Sequence, residues 1–229
     1  MEKMRKDIRE MLESLFNPEN AFMCFINKII DLVVLSILWT VCCIPIVTIG
    51  ASSAALYYAV TKSVRCQRGH AAKEFWRAFK GNLKRGIIFE LIWTALAFMM
   101  LVTDVPLVTT FLDTGKVQNV FLLILFAVKA VLLIGAACWY YPMISRFEQT
   151  IWRMAEAAVF TMLRHALRSI LLIILALFAA SLLVAEPLLL AIVPGTAAWL
   201  LSFLQEPVFQ KLYEDTDTSD DEDPWYLEL

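Results

Sequence analysis

Apolar residues run through this 229-residue chain in long blocks, neither alternating as in strands nor confined to the narrow stripe of a soluble helix. The first block extends from about Phe22 to Val60 and is interrupted only at Pro45 and Gly50. A single helix of that length would far exceed the roughly 20 residues that cross a hydrocarbon core. The pattern therefore predicts two helices, 22–44 and 48–64, broken over Pro45–Gly50; the second is diluted by Ser52, Ser53, Tyr57 and Tyr58. Later blocks predict spans at about 87–105, 117–142, 169–185 and 188–204, the last two joined by a tight hairpin at Glu186-Pro187. Ahead of them, Met4, Ile8, Met11, Leu12 and Leu15 share one helical face. That N-terminal helix is expected to lie on a membrane surface or to pack on the protein's own cytoplasmic loops, with Asn17-Pro18 opening the next element.

Composition changes the solvent. Sixty percent of the residues are hydrophobic and 18% charged, against roughly 45–50% and 25% in ordinary globular chains. A soluble domain of this size leaves too much exposed shell to hide so much apolar surface. The expected fold class is an all-α integral membrane protein, which excludes most cytosolic enzymes and nucleic-acid modules.

Charge placement decides between five and six spans. The flank 1–28 carries five Lys/Arg, segment 62–86 eight and segment 145–168 four, whereas 106–116 carries only Lys116. One crossing over 22–64 would put two basic flanks on opposite sides, against the preference of positive charge for the cytoplasm. Two crossings put all three basic segments and both termini inside. About six transmembrane helices are therefore expected, five if the Pro45–Gly50 break is not a hairpin. The domains expected are an amphipathic segment 1–21, one membrane domain 22–212 and an acidic tail 213–229. Residues 214–223 hold seven acids, and such a run repels itself and buries nothing, so it is expected to be disordered. It is also a candidate partner for the basic segment 62–86.

The chemistry-bearing residues are few. No HExxH, P-loop, dinucleotide or nucleophile-elbow motif occurs, and the two histidines, His70 and His165, lie on basic connecting segments. No catalytic, cofactor or metal site is expected. The five cysteines form no CxxC and read as small reduced hydrophobes.

Charges within spans are costly in lipid and mark function by default. Glu90 and Lys129 lie in consecutive, antiparallel spans and are candidates for an intramembrane pair; the alternatives are snorkelling to the headgroups and a transport relay. Pro45 and Gly50 form a candidate helix break of the kind transporters use to expose backbone groups, or else a simple hairpin with close helix packing. Segment 62–86 mixes cations with Phe75, Trp76 and Phe79, and Arg77, Lys80, Lys84 and Arg85 are candidate contacts for anionic lipid rather than nucleic acid. Trp139-Tyr140-Tyr141 followed by Arg146 reads as an interfacial aromatic belt. Phe79-Lys80…Leu83-Lys84…Ile87 returns 84 residues later as Leu163-Arg164…Leu167-Arg168…Leu171, either a weak internal repeat or two similar interfacial lead-ins.

Asn17-Pro18, Asn27-Lys28, Pro45-Ile46-Val47-Thr48-Ile49-Gly50-Ala51, Ala55-Leu56-Tyr57-Tyr58 and the run Phe75 to Asn82 together resemble the YesL family. The likeness is carried by residues 15–90; beyond them it is one of spans and lengths, and the acidic tail departs from it. The resemblance implies a multi-pass bacterial plasma-membrane protein of unknown activity, whose genes often accompany carbohydrate uptake and breakdown. On that basis the chain is expected to be a non-enzymatic accessory factor with the bilayer, a sugar-transport or regulatory partner, or further copies of itself as partners. The alternative is a small sugar transporter or permease component.

Overall fold

A computed structural model describes residues 21–114, 118–147 and 149–214, and its secondary structure is entirely helical. The N-terminal amphipathic segment and the acidic tail lie outside the described residues. The order is α1 (Ala21–Cys42), a 3-10 turn (Ile46–Thr48), α2 (Ile49–Ala59) continuing as a π-helical turn (Val60–Arg65), α3 (Ala71–Thr114), α4 (Gln118–Arg146), α5 (Ile151–Arg164), α6 (Ala166–Ala185), a 3-10 turn (Pro187–Ala191) and α7 (Val193–Glu214).

Four helical stretches are long and apolar enough to cross a membrane: Met23–Cys42, Ala71–Pro106, Leu123–Arg146 and Ala166–Ala185. α2 is too short for this by itself, at 11 residues, and α7 carries Glu206 and Lys211 in its apolar run.

The short helix α2 occupies the centre. Gly50, Ala51, Ser52, Ala54, Ala55 and Ala59 are all buried in it, and small side chains let neighbouring backbones approach closely. Against α3 the approach is extreme: a Cβ on Gly86 would stand 2.6 Å from the Ala51 nitrogen, and one on Gly50 2.8 Å from the Gly86 carbonyl oxygen. α1 crosses α7 in the same manner, since a Cβ on Gly195 would meet the Leu32 carbonyl oxygen at 2.5 Å. There the buried Ser36 hydroxyl accepts the Gly195 N–H at 2.8 Å and donates to Leu32 O at 2.8 Å. Two apolar clusters flank α2. One joins Leu35, Val60 and Phe75 across α1, the α2 continuation and α3; the other joins Trp139, Tyr140, Met154 and Phe209 across α4, α5 and α7.

Proline does not end the helices where the sequence pattern suggested. α3 continues through Pro106 to Thr114, α4 through Pro142 and α7 through Pro207. Pro142 removes the N–H that would bond Cys138 O, and Gln205 Nε2 of α7 donates to that carbonyl at 2.8 Å instead, which is how helices in apolar surroundings re-satisfy freed backbone groups. The proposed internal repeat is not matched in structure. Its first copy lies inside the continuous α3, whereas its second straddles the α5–α6 break at His165.

α5 buries Met154, Ala158, Thr161 and Met162 while Trp152, Phe160 and Leu163 stay exposed at 66%, 64% and 61%. Its outer face mixes these with the exposed Arg153, Glu156 and Arg164, an amphipathic pattern that suits the edge of a bilayer.

Candidate functional site

The break at Pro45–Gly50 is a closed turn. α1 ends at Cys42, and the Thr48 hydroxyl caps the reversal through Cys42 O at 2.6 Å and Pro45 O at 2.7 Å. Beyond it, Gly50 packs over Gly86 and Glu90. Of the two readings of Pro45 and Gly50, exposed backbone or a simple hairpin with close packing, the contacts are those of a hairpin packed against α3.

Glu90 is buried on α3 and accepts a hydrogen bond from the Tyr141 hydroxyl at 2.9 Å, with Thr94 Oγ1 at 3.5 Å from its other oxygen. Lys129 does not pair with it. Its Nζ lies 2.5 Å from Oδ2 of Asp104, a side chain only 10% exposed. The expected Glu90–Lys129 pair is thus corrected, and the cause is the continuity of α3 through Pro106. The extra turns up to Thr114 move the hairpin apex outward, so α4 returns with Lys129 level with Asp104 and Tyr141 level with Glu90. Glu90 and Asp104 are about 20 Å apart along the helix at 1.5 Å per residue, too far for one lysine to serve both.

The most deeply buried charges were not read as a pair from the sequence, where Arg146 closed an interfacial aromatic belt; Trp139 and Tyr140 of that belt are buried in the core instead. Arg146 and Glu206, each with a side chain 1% exposed, form an ion pair between α4 and α7. The Tyr57 hydroxyl of α2 donates to the same Glu206 oxygen at 2.7 Å. One carboxylate therefore ties three helices together. Next to it, Gln205 Nε2 donates to Cys138 O at 2.8 Å, and Arg65 Nη1 donates to Ser202 O at 3.1 Å while lying 4.6 Å from the Phe203 ring centroid. A signal was present: Glu206-Pro207 is an isolated acid after a long apolar run. Ending the last span at 204 placed it outside the helix and hid it.

Part of this network lines one end of a half-open cleft of about 370 Å³ bounded by α1 to α4, α6 and α7. Tyr57, Gln205 and Cys138 lie at the polar end. The remaining wall is mostly apolar, with Ala176, Ala179 and Ala180 of α6 facing Ala197 and Ala198 of α7. Trp39 Nε1 is satisfied by Ser53 Oγ at 3.2 Å.

The basic segment separates into two groups. Arg77 is engaged, with Nη2 2.9 Å from Glu74 Oε2 and 2.6 Å from the Tyr58 hydroxyl, and Lys62 joins the same carboxylate at 3.2 Å. Arg85 is half-buried, whereas Lys80 and Lys84 are exposed. Arg77 and Arg85, but neither lysine, line a second cleft of about 330 Å³ between α3 and α4. His165, outside the candidate spans, has its pKa lowered by partial burial and by the positive charges of Arg168, Arg164 and Lys211; at neutral pH it is uncharged.

Comparison with known families adds one match. Residues 32–105 match the family described as "Protein of unknown function, DUF624". The match covers about a third of the chain, from within α1 to the last turns before Pro106. It includes Pro45, Gly50, Arg77, Arg85, Glu90 and Asp104, and it leaves out Lys129, Arg146 and Glu206. Its description assigns no activity and does not mention YesL. No curated protein and no solved structure matches the chain. Together with the apolar helices, the match supports a membrane protein of an uncharacterised kind.

Proposed function

We propose that this chain is a non-enzymatic accessory protein of the bacterial plasma membrane that serves carbohydrate uptake or utilisation through contacts with a transporter or regulator. The observation that carries the reading is how the buried acids of the helices are used. Glu90, Asp104 and Glu206 are each occupied by a partner from another helix, and the half-open cleft lined by Tyr57 and Gln205 is walled mainly by alanine, leucine and aromatic carbon. A sugar leaving water needs a hydrogen-bond partner for most of its hydroxyls. Such a wall offers few, so the arrangement favours scaffold over pathway. The link to carbohydrate rests on the YesL resemblance.

In this reading the chain crosses six times with both termini cytoplasmic, α2 with its π-helical continuation and α7 adding to the four long spans. The support is the Lys/Arg excess of segments 62–86 and 145–168. Reporter fusions after Ser63, Gly115 and Glu186 test it: Ser63 is expected inside and the other two outside.

The function is tested by deleting the gene in the native host and by reconstituting the purified protein in liposomes. Deletion is expected to lower uptake of one class of sugar, while the protein alone moves none. Autonomous sugar flux in the liposomes would establish the rival reading, a small transporter. Unchanged uptake of every sugar tested would remove the carbohydrate link.

A further inference from the structure

The cleft between α3 and α4 carries an inference beyond that proposal. Its α3 wall presents Arg77, Gly81 and Arg85 at successive i, i+4 positions, one face of the helix. The helical glycines Gly50, Gly86 and Gly195 are forced by packing, since a Cβ on any of them would come within 3.0 Å of a neighbouring backbone atom, and one on Gly135 would press on the Met162 side chain. Gly81 is different: a Cβ there would meet nothing within 4 Å. A glycine inside a helix costs about 1 kcal/mol relative to alanine, and no helix contact accounts for this one. Its effect is to leave a notch between two guanidinium groups.

Charge in the cleft is unbalanced. Arg146 lies at its floor, committed to Glu206, and Arg77 shares Glu74 with Lys62. Arg85 has no ion pair or hydrogen bond among the described residues, and no acid lines the cleft. Arginines on both sides of a notch supply the chemistry that phosphate takes, since guanidinium groups bind it through paired N–H donors.

The same face of α3 continues along the bilayer-facing seam. From Arg85 it passes through the exposed Ile88 to Leu96, Met99 and Thr103, which line an apolar groove of about 310 Å³ with Leu132, Leu133 and Ala136 of α4. A free phosphate has no use for such a groove; an acyl chain does.

We propose that this cleft is a binding site for an anionic phospholipid, with the phosphate held between Arg77 and Arg85 over Gly81 and a chain lying along the α3–α4 seam. Full-length protein in detergent is titrated with phosphatidylglycerol, phosphatidylcholine and inorganic phosphate, and bound species are read by native mass spectrometry. Phosphatidylglycerol is expected to bind in preference to phosphatidylcholine. Gly81→Leu, which fills the notch and favours the helix, and Arg85→Gln, which removes a charged hydrogen bond, are each expected to weaken that binding about tenfold. Gly81→Leu should do so without lowering the melting temperature. Lys80→Gln removes an equal charge beside the cleft and should change binding less than about twofold, as expected of an exposed contact.

Several outcomes overturn the proposal. Equal losses in Lys80→Gln and Arg85→Gln would reduce the effect to diffuse surface charge. Undiminished binding in Gly81→Leu would remove the notch. Full displacement of phosphatidylglycerol by inorganic phosphate would make the site one for the free anion. Binding that emerges only after residues 215–229 are removed would make the acidic tail the occupant.

Discussion

Arg146 and Glu206 stand sixty residues apart in sequence and meet as an ion pair with side chains 1% exposed, completed by the Tyr57 hydroxyl at 2.7 Å. Their positions join the end of α4 to α7 across α2. Removing one member leaves an uncompensated charge in a medium of low dielectric, at a cost of about 3–5 kcal/mol. Arg146→Met or Glu206→Leu alone is therefore expected to be severe, and the double substitution milder than either. Tyr57→Phe should cost about 2 kcal/mol, in the range of a hydrogen bond to a charged group. Thermal unfolding in detergent measures all four; strictly additive losses in the double variant would mean that the pair contributes nothing as a pair.

The α3–α4 register predicts which substitutions are coupled. Lys129→Met should be partly compensated by Asp104→Leu, because the two side chains meet at 2.5 Å. It should add independently to Glu90→Leu, as distant sites do. A double-mutant cycle showing coupling between Lys129 and Glu90 would contradict the register.

Glycine substitutions should separate packing from open surface. Gly86→Ala forces a methyl group to 2.6 Å from the Ala51 backbone nitrogen, which side-chain movement cannot relieve, and overpacking of this kind costs about 1–3 kcal/mol. Gly50→Ala should fall in the same class, with a methyl group 2.8 Å from Gly86 O. At Gly81, where a Cβ meets nothing within 4 Å, alanine should raise stability by up to about 1 kcal/mol through helix propensity. Melting temperatures that fall equally at all three positions would contradict the close α2–α3 approach.

Acid should weaken the α5–α6 junction. His165 has a folded-state pKa below 6.5 because of partial burial and the nearby Arg168, Arg164 and Lys211. The unfolded chain then binds a proton more readily than the folded one, so stability is lost as pH falls through about 6.5 and levels off below the folded-state pKa. His165→Asn should flatten this part of the pH dependence, and unfolding curves between pH 7.5 and pH 5 test it. An unchanged slope in the variant would assign the pH dependence to other groups.

The sequence by itself determined the element type. Long apolar blocks with 18% charged residues suit helices in lipid, since a helix satisfies its own backbone hydrogen bonds, and four helices are long and apolar enough to cross a membrane. The turn was legible only in part: Pro45 acts locally, and the chain turns between Cys42 and Ile49, whereas Gly50 lies inside α2 and is set by its close approach to α3. Only the tertiary structure decided partners. Whether Pro142 ends a helix or rides within it depends on a neighbour, since Gln205 of α7 takes the carbonyl that it frees, and composition does not record that neighbour. Carrying α3 on to Thr114 moved Lys129 from Glu90 to Asp104, and carrying α7 on to Glu214 brought Glu206 to Arg146. A charge in a span announces its cost through its immediate sequence; the partner that repays it is set by helix register, a sum of rises and turns along both chains.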